Sequence, residues 1–358
     1  MRKFFCLLPV VLFSAVMTAQ NVNLVFVSDL HYGISRPHFR GEDSVSGKTV
    51  NRAMVGMIDT LDRLFFPADK GIAAGKRIDN IAGIVIAGDI ANRQQPPVQP
   101  ASVSWQQFTD DYQGVLHYTL FPLPGNHDVS NAIGYPKKME PAHDAGAMAG
   151  IYNIAMHKNI TSAEYNYATQ KINYSQDING VHLVFVNIWP DSLNRIWIEK
   201  DLARVSKKTP VLIFAHDPPA GDYKHFTSPN GAHDINATDN YENLLSEIHK
   251  DPKKKSTILE QAGLDKFLLK HPNIRAYFHG HENFCEMYDY KGVSGKLLLP
   301  VFRADSPMKG EKSRPDEHEL SLQVISYDVR LHQLTVRELL WNTANGIPQW
   351  RQERTIKL

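Results

Sequence analysis

Five short apolar runs in this chain each lead into Asp, Asn or His, and that repetition limits the folds open to it more than any other feature. The run NLVFVS at 23–28 leads into Asp29-Leu30-His31, and IAGIVIA at 81–87 into Gly88-Asp89. TLFPLP at 119–124 is followed by Gly125-Asn126-His127-Asp128, VLIFA at 211–215 by His216, and IRAYF at 274–278 by His279-Gly280-His281-Glu282-Asn283. Runs that stay apolar without alternating belong to strands buried on both faces, as in a sheet with helices packed outside it. Between them, Val50, Met54, Met57, Ile58, Leu61 and Leu64 recur at helical spacing, and segments 104–117, 195–206 and 257–270 also read as helices. The alternating segments after residue 284 predict antiparallel strands over 284–358. The class is therefore α/β, with two sheet halves in one domain over 20–358.

Ligands of open α/β sheets bind beyond the carboxyl ends of the strands, so these polar residues should converge on one rim. Imidazole, carboxylate and amide oxygen together make mixed nitrogen and oxygen sites for divalent metals. One carboxylate can bridge two ions about 3.5–4 Å apart. Each motif alone is weak, because among 16 histidines an Asp-x-His triplet arises by chance. The specificity lies in the ordered set.

Taken in order, DLH, GD, GNHD, a lone His and a terminal GH resemble the calcineurin-like metallophosphoesterase superfamily over roughly residues 23–290. The resemblance implies two mixed β-sheets packed as a sandwich, flanked by helices in four αββα layers, around a dinuclear centre. By it, Asp29 and His31 hold the first ion, Asp89 bridges, and Asn126, His216 and His281 hold the second. His127 faces the scissile phosphate without ligating, and Asp128 either orients its ring or caps the next turn. Asn283 departs from the pattern, standing where the family's Gly-His-x-His motif places a histidine on the first ion. Either its amide oxygen substitutes or His279 reaches in, and strand alternation, which turns His279 to the opposite face, favours Asn283. Asn92 occupies the place of the iron-binding tyrosine of purple acid phosphatases, so an iron–tyrosinate centre is not expected. The two divalent ions are not identified further; Zn, Mn, Fe, Mg and Ca all suit such donors.

Two cations sharing a water would lower its pKa towards neutrality and provide a hydroxide nucleophile. The leading expectation is hydrolysis of a phosphomonoester, with His127 serving the leaving oxygen. A phosphodiesterase acting on a cyclic nucleotide, nucleic acid or phospholipid headgroup is the alternative. A binding protein impaired at Asn283 is a third reading, against which the retained His127 argues. No Gly-x-Ser-x-Gly elbow suggests serine chemistry. Arg36, His38 and Arg40, just after the first motif, are candidates to grip phosphate or else form a solvated loop. The segment Arg303–Lys309 is a second candidate. His225 and His233 line the cleft or, the favoured reading, lie on the surface, and Lys253-Lys254-Lys255 reads as a solvated loop.

Lys plus Arg (39) nearly balance Asp plus Glu (38), so no broad basic field points to nucleic acid. The expected partner is a phosphorylated small molecule, with the oligomeric state open. Arg2-Lys3 followed by the apolar stretch from Phe4 to Val16 and small Thr18-Ala19 has the layout of a signal peptide over 1–19. The protein is thus expected to be secreted or periplasmic, and no later segment nears the roughly 20 apolar residues of a membrane span. Removing 1–19 leaves Cys285 as the one cysteine, read as a packing residue.

Overall fold

Strand β1 (Val22–Val27) shows why the apolar runs do not alternate. All six of its residues are buried, with Leu24 and Phe26 in one core cluster and Val25 and Val27 in another. The first cluster lies between two sheets and the second lies under the helices. This computed structural model describes residues 21–134, 139–227, 241–247 and 256–358. Residues 1–19, where a signal peptide was expected, His233 and Lys253-Lys254-Lys255 fall outside them.

The remaining strands are β2 Ser35–Phe39, β3 Glu42–Ser46, β4 Ile81–Ala87, β5 Leu120–Leu123, β6 Tyr174–Ile178, β7 Val181–Phe185 and β8 Val211–Phe214. They continue with β9 Ile274–His279, β10 Glu286–Tyr290, β11 Leu299–Arg303, β12 Ser321–Asp328, β13 Gln333–Leu340 and β14 Gln349–Lys357. The helices are α1 Gly47–Asp59, α2 Ala101–Val115, α3 Asn126–Ile133, α4 Gly146–Met156, α5 Ser192–Leu202 and α6 Ser256–Lys270. One six-stranded sheet runs β14-β13-β12-β1-β4-β5 and the other β10-β11-β9-β8-β7-β6. Both are mixed: β1, β4 and β5 are parallel and β12 joins β1 antiparallel, while β7, β8, β9 and β11 are parallel between antiparallel β6 and β10. The expected α/β architecture of two mixed sheets flanked by helices is what the chain adopts.

Inside the sandwich a row of rings starts at β5 of the first sheet and crosses the second. Phe121 stacks on Phe185, Phe185 on Phe214, Phe214 on Phe278 and Phe278 on Phe302, with centroids 4.7–5.4 Å apart. Phe26 of the first sheet meets Phe214 and Phe278 edge-on at 6.0 and 5.5 Å. Pairs of this kind are worth about 0.5–1.5 kcal/mol each beyond their buried area. They lock the register of β1 against β8 and β9, three strands whose carboxyl ends carry the polar motifs. Outside, α1 is capped by Ser46, whose Oγ accepts from Thr49 N, and buries Val50, Met54, Val55 and Ile58.

Three readings need correcting. The segment after Asp29-Leu30-His31 is a β2–β3 hairpin, not a loop. Gly125-Asn126-His127-Asp128 is not a turn; Asn126 opens helix α3. The strands after residue 284 are not all antiparallel, because β11 pairs parallel with β9 before the chain crosses to β12.

Candidate metal centre

The motif residues sit where strands stop and the backbone turns sharply. Asp29, His31, Asp89, His281 and Asn283 all have left-handed φ, between 43° and 69°. Each such residue costs of order 1–3 kcal/mol and persists only where its surroundings hold it, which is typical of functional sites. Here the holding is backbone lacing: Asp29 N donates to Gly88 O, His31 N to Asp89 O and Tyr32 N to Ile90 O. Two glycines allow the loops to close. A Cβ on Gly125 would overlap Asp89, and one on Gly280 would overlap Ser28 Oγ and the Asp29 carboxylate.

His216 displays the chemistry most plainly. Its Nδ1 donates to Ala87 O at 2.7 Å, which leaves Nε2 with a lone pair. That lone pair faces Asn126 Oδ1 at 3.1 Å and Asp89 Oδ1 at 3.5 Å. Three acceptors therefore converge, and a proton can satisfy only one such pair. His281 packs edge-on to His216 with ring centroids 5.1 Å apart. Its Nε2 pairs with Asp222 Oδ2 at 3.0 Å, leaving Nδ1 as a donor for an ion.

On the other side of Asp89, His31 is 1% exposed, yet neither ring nitrogen has a hydrogen-bond partner. Its Nε2 stands 3.7 Å from Asp29 Oδ1 and 3.7 Å from Asp89 Oδ2. Asp29 Oδ1 and Asn283 Oδ1 are likewise buried and unpartnered. Asn283 lies beside this ring and raises its pKa, although burial first, then Lys309, keep His31 well below its ordinary value. Atoms bound to one ion at about 2.0–2.2 Å stand roughly 3.0–3.5 Å apart, so both donor groups need only slight closure to grip a cation. Burial raises the Asp29 carboxyl, and the charge on Asp89 adds to it. Two adjoining buried carboxylates and a set of orphaned acceptors fit divalent ions, which would supply the missing positive charge.

His127 is the remaining motif residue that faces the cavity. Its Nδ1 accepts from Arg93 N at 3.0 Å, so the neutral ring carries its proton on Nε2. Nε2 lies 3.7 Å from Asp89 Oδ2 and 3.4 Å from Lys309 Nζ. Burial, then the charges of Lys309 and Arg93, hold the imidazole well below its ordinary pKa. Arg93 is itself tied to Ser130 and Glu242.

Four readings that the sequence left open take a definite form. Asp128 does not orient His127: its carboxylate accepts from Gly125 N, Ala91 N and Ile90 N at 2.9, 2.8 and 3.2 Å, stapling the two loops together. His279 does not reach the ions, because it shares the outer face of β9 with Tyr277 and its nitrogens face Tyr288 OH and Gly280 O. Arg36 is wholly buried and donates to the carbonyls of His38, Pro307 and Ser313, so it has nothing left for phosphate. His38 pairs with Asp43 on the exposed hairpin, and Arg40 with Asn342 and, through its backbone N, Glu317. Conversely, His225 is buried rather than superficial. It pairs with Asp217 at 2.6 Å and packs on His281 with ring centroids 4.9 Å apart. Asp217, Asp222 and Glu242 were not foreseen, and only the acid and histidine density of the 216–225 segment hinted at them.

A family model described as calcineurin-like phosphoesterase matches residues 22–283. No curated protein matches the chain. Among solved structures, phosphopantetheinyl hydrolase from Mycobacterium tuberculosis is 11% identical and covers 83% of this chain and 93% of that one, with TM-score 0.36. Vps29 complexed with zinc from Entamoeba histolytica is 8% identical and covers 94% of this chain and 99% of that one, with TM-score 0.32. Similarity this low says nothing about substrate.

Proposed function

Because the chain belongs to the calcineurin-like phosphoesterases and is a metal-dependent phosphoric ester hydrolase, we propose that it is an exported phosphomonoesterase with a dinuclear centre. The observation that carries the dinuclear reading is the placement of Asp89. Its Oδ2 faces His31 and its Oδ1 faces His216, so each oxygen serves a different donor group. Asp29, His31 and Asn283 would hold one ion, and Asn126, His216 and His281 the other.

Divalent ions, if held by these residues, would supply Lewis-acid polarisation of a phosphoryl oxygen and a water ionised near neutral pH. The chain's own residues do the rest. Asp29 and Asp89 are fixed by N–H bonds from His281 and His127, both at 2.8 Å, which sets the spacing of the two donor groups. His127 donates a hydrogen bond from Nε2 to charge developing on the leaving oxygen, and the Arg93 N–H keeps that proton aimed inward. The Asp128 carboxylate holds the loops that carry both residues. The monoester reading is supported by Lys309, a further positive charge beside His127 that suits a terminal dianionic phosphate. The export reading rests on residues 1–19 alone, and among the described residues no helix is long and apolar enough to cross a membrane.

Metal analysis beside paired chromogenic monoester and diester assays tests this reading. Faster turnover of the monoester by protein holding two ions per chain supports it. Preference for the diester would replace it with the phosphodiesterase reading, and no turnover of either ester by the fully loaded protein would leave a binding protein.

A further inference from the structure

Arg36, a candidate to grip phosphate, instead grips the backbone on both sides of Lys309. Its Nη1 donates to Pro307 O at 2.9 Å and its Nη2 to Ser313 O, closing the segment 304–313 from beneath. Ser306 completes the clamp. Its Oγ donates to Asp29 O at 2.7 Å and accepts from Met308 N and Lys309 N at 3.3 and 3.0 Å, referencing the loop to the carbonyl of an ion-site residue. Gly310 has no room for a side chain beside Ser313 and Asp305, so the turn after the lysine is tightly packed as well.

Lys309 Nζ reaches the cavity 3.4 Å from His127 Nε2, its one polar side-chain neighbour at hydrogen-bonding distance among the described residues. No carboxylate among them stands within ion-pair distance of it. Asp29 and Asp89 attract it across the cavity, but their charge is committed to the ions once these are bound. A half-buried ammonium with no carboxylate partner among the described residues, beside the proposed leaving-group donor, calls for an anion between them.

We propose that Lys309 binds a non-bridging oxygen of a terminal phosphate and sets the preference for dianionic monoesters over diesters, with Arg36 as its positioning residue. This rests on the phosphomonoesterase reading and gives it a residue. A diester carries one negative charge fewer and places a carbon substituent on one of the oxygens the ammonium would meet. Inorganic phosphate carries the same terminal oxygens and is the direct probe.

The test titrates inorganic phosphate calorimetrically into metal-loaded wild type, Lys309→Gln, Lys309→Arg, Arg36→Gln and the Arg36→Gln/Lys309→Gln double variant, with metal content measured for each. A hydrogen bond to a charged partner predicts about 10- to 100-fold weaker phosphate binding in Lys309→Gln, with metal content unchanged and most affinity kept in Lys309→Arg. Arg36→Gln should weaken phosphate similarly, and the double variant should be no worse than Lys309→Gln, because both act through one contact. The monoester-to-diester ratio of kcat/KM should fall with phosphate affinity. Unchanged phosphate affinity in Lys309→Gln overturns the proposal, and so does loss of metal in that variant. If wild type prefers diesters while Lys309→Gln still loses phosphate, the monoester reading fails and the lysine contact stands.

Discussion

The backbone N–H of Arg93 donates to Nδ1 of His127 at 3.0 Å, and this one bond decides which ring nitrogen can serve a substrate. With Nδ1 occupied, the proton sits on Nε2 and points into the cavity between Asp89 and Lys309. His127 therefore acts as a fixed hydrogen-bond donor. His127→Ala should lower kcat about 10²–10³-fold, the cost of losing one preorganised donor, while the protein keeps its metal. Turnover unchanged in that variant would remove His127 from the chemistry, as read by steady-state kinetics beside metal analysis.

Under the proposed dinuclear reading, Asn283 would give the first ion a neutral amide oxygen where the resembled pattern places an imidazole. An amide is the poorer donor for transition-metal ions. Asn283→His should retain the first ion against a competing chelator better than wild type, and Asn283→Ala should lose it first. Metal content after graded chelator dialysis reads both, and identical retention in all three proteins would take Asn283 out of the site.

Gly280 lies against Ser28 and the Asp29 carboxylate, so an added methyl group must displace one of them. Gly280→Ala should cost about 1–3 kcal/mol of stability through overpacking. It should also reduce metal content, because the Asp29 carboxylate is among the groups that must shift. A thermal melt together with metal analysis checks both effects, and a variant with wild-type metal content would show that the loop gives elsewhere.

Much of this centre could be read from the chain, for a physical reason. Strands β1, β4, β8 and β9 are covered on both faces, so their apolar runs end abruptly at Asp29, Asp89, His216 and the His279–Asn283 segment. The helix that opens at Asn126 was missed, although Asp128 at its third position reaches back to Gly125 N, as an acid there commonly does. Arg36 misled because its partners, Pro307 and Ser313, lie some 270 residues away and are backbone carbonyls that no side-chain pattern announces. His225 was misplaced for a similar reason. Its burial depends on Asp217 and on Glu242 from a separate segment, while local composition there reads as a polar loop.

Away from the site, His182 on β7 bridges Asp177 and Asp201 at 2.7 and 2.8 Å. Burial pulls its pKa down, but the bonds to Asp201 and Asp177 outweigh that and raise it above the ordinary value. A raised folded-state pKa adds stability below the unfolded value of about 6.5 and loses it as pH rises through the folded one. Wild type should therefore exceed His182→Gln in stability most at pH values under about 6.5, with the gap narrowing as pH rises from there through the folded pKa. Urea denaturation from mildly acidic to alkaline pH tests this, and a gap that widens with pH would reverse the assignment.

In the proposed centre Asp89 stands between two ions. Crystals of manganese-loaded protein, measured at the metal's absorption edge, test it most directly. Two anomalous peaks about 3.5–4 Å apart are expected, one beside His31 and Asn283 and the other beside His216 and Asn126, with an Asp89 oxygen on each. A single peak, or two peaks that do not share Asp89, in protein that still hydrolyses phosphate esters would contradict it.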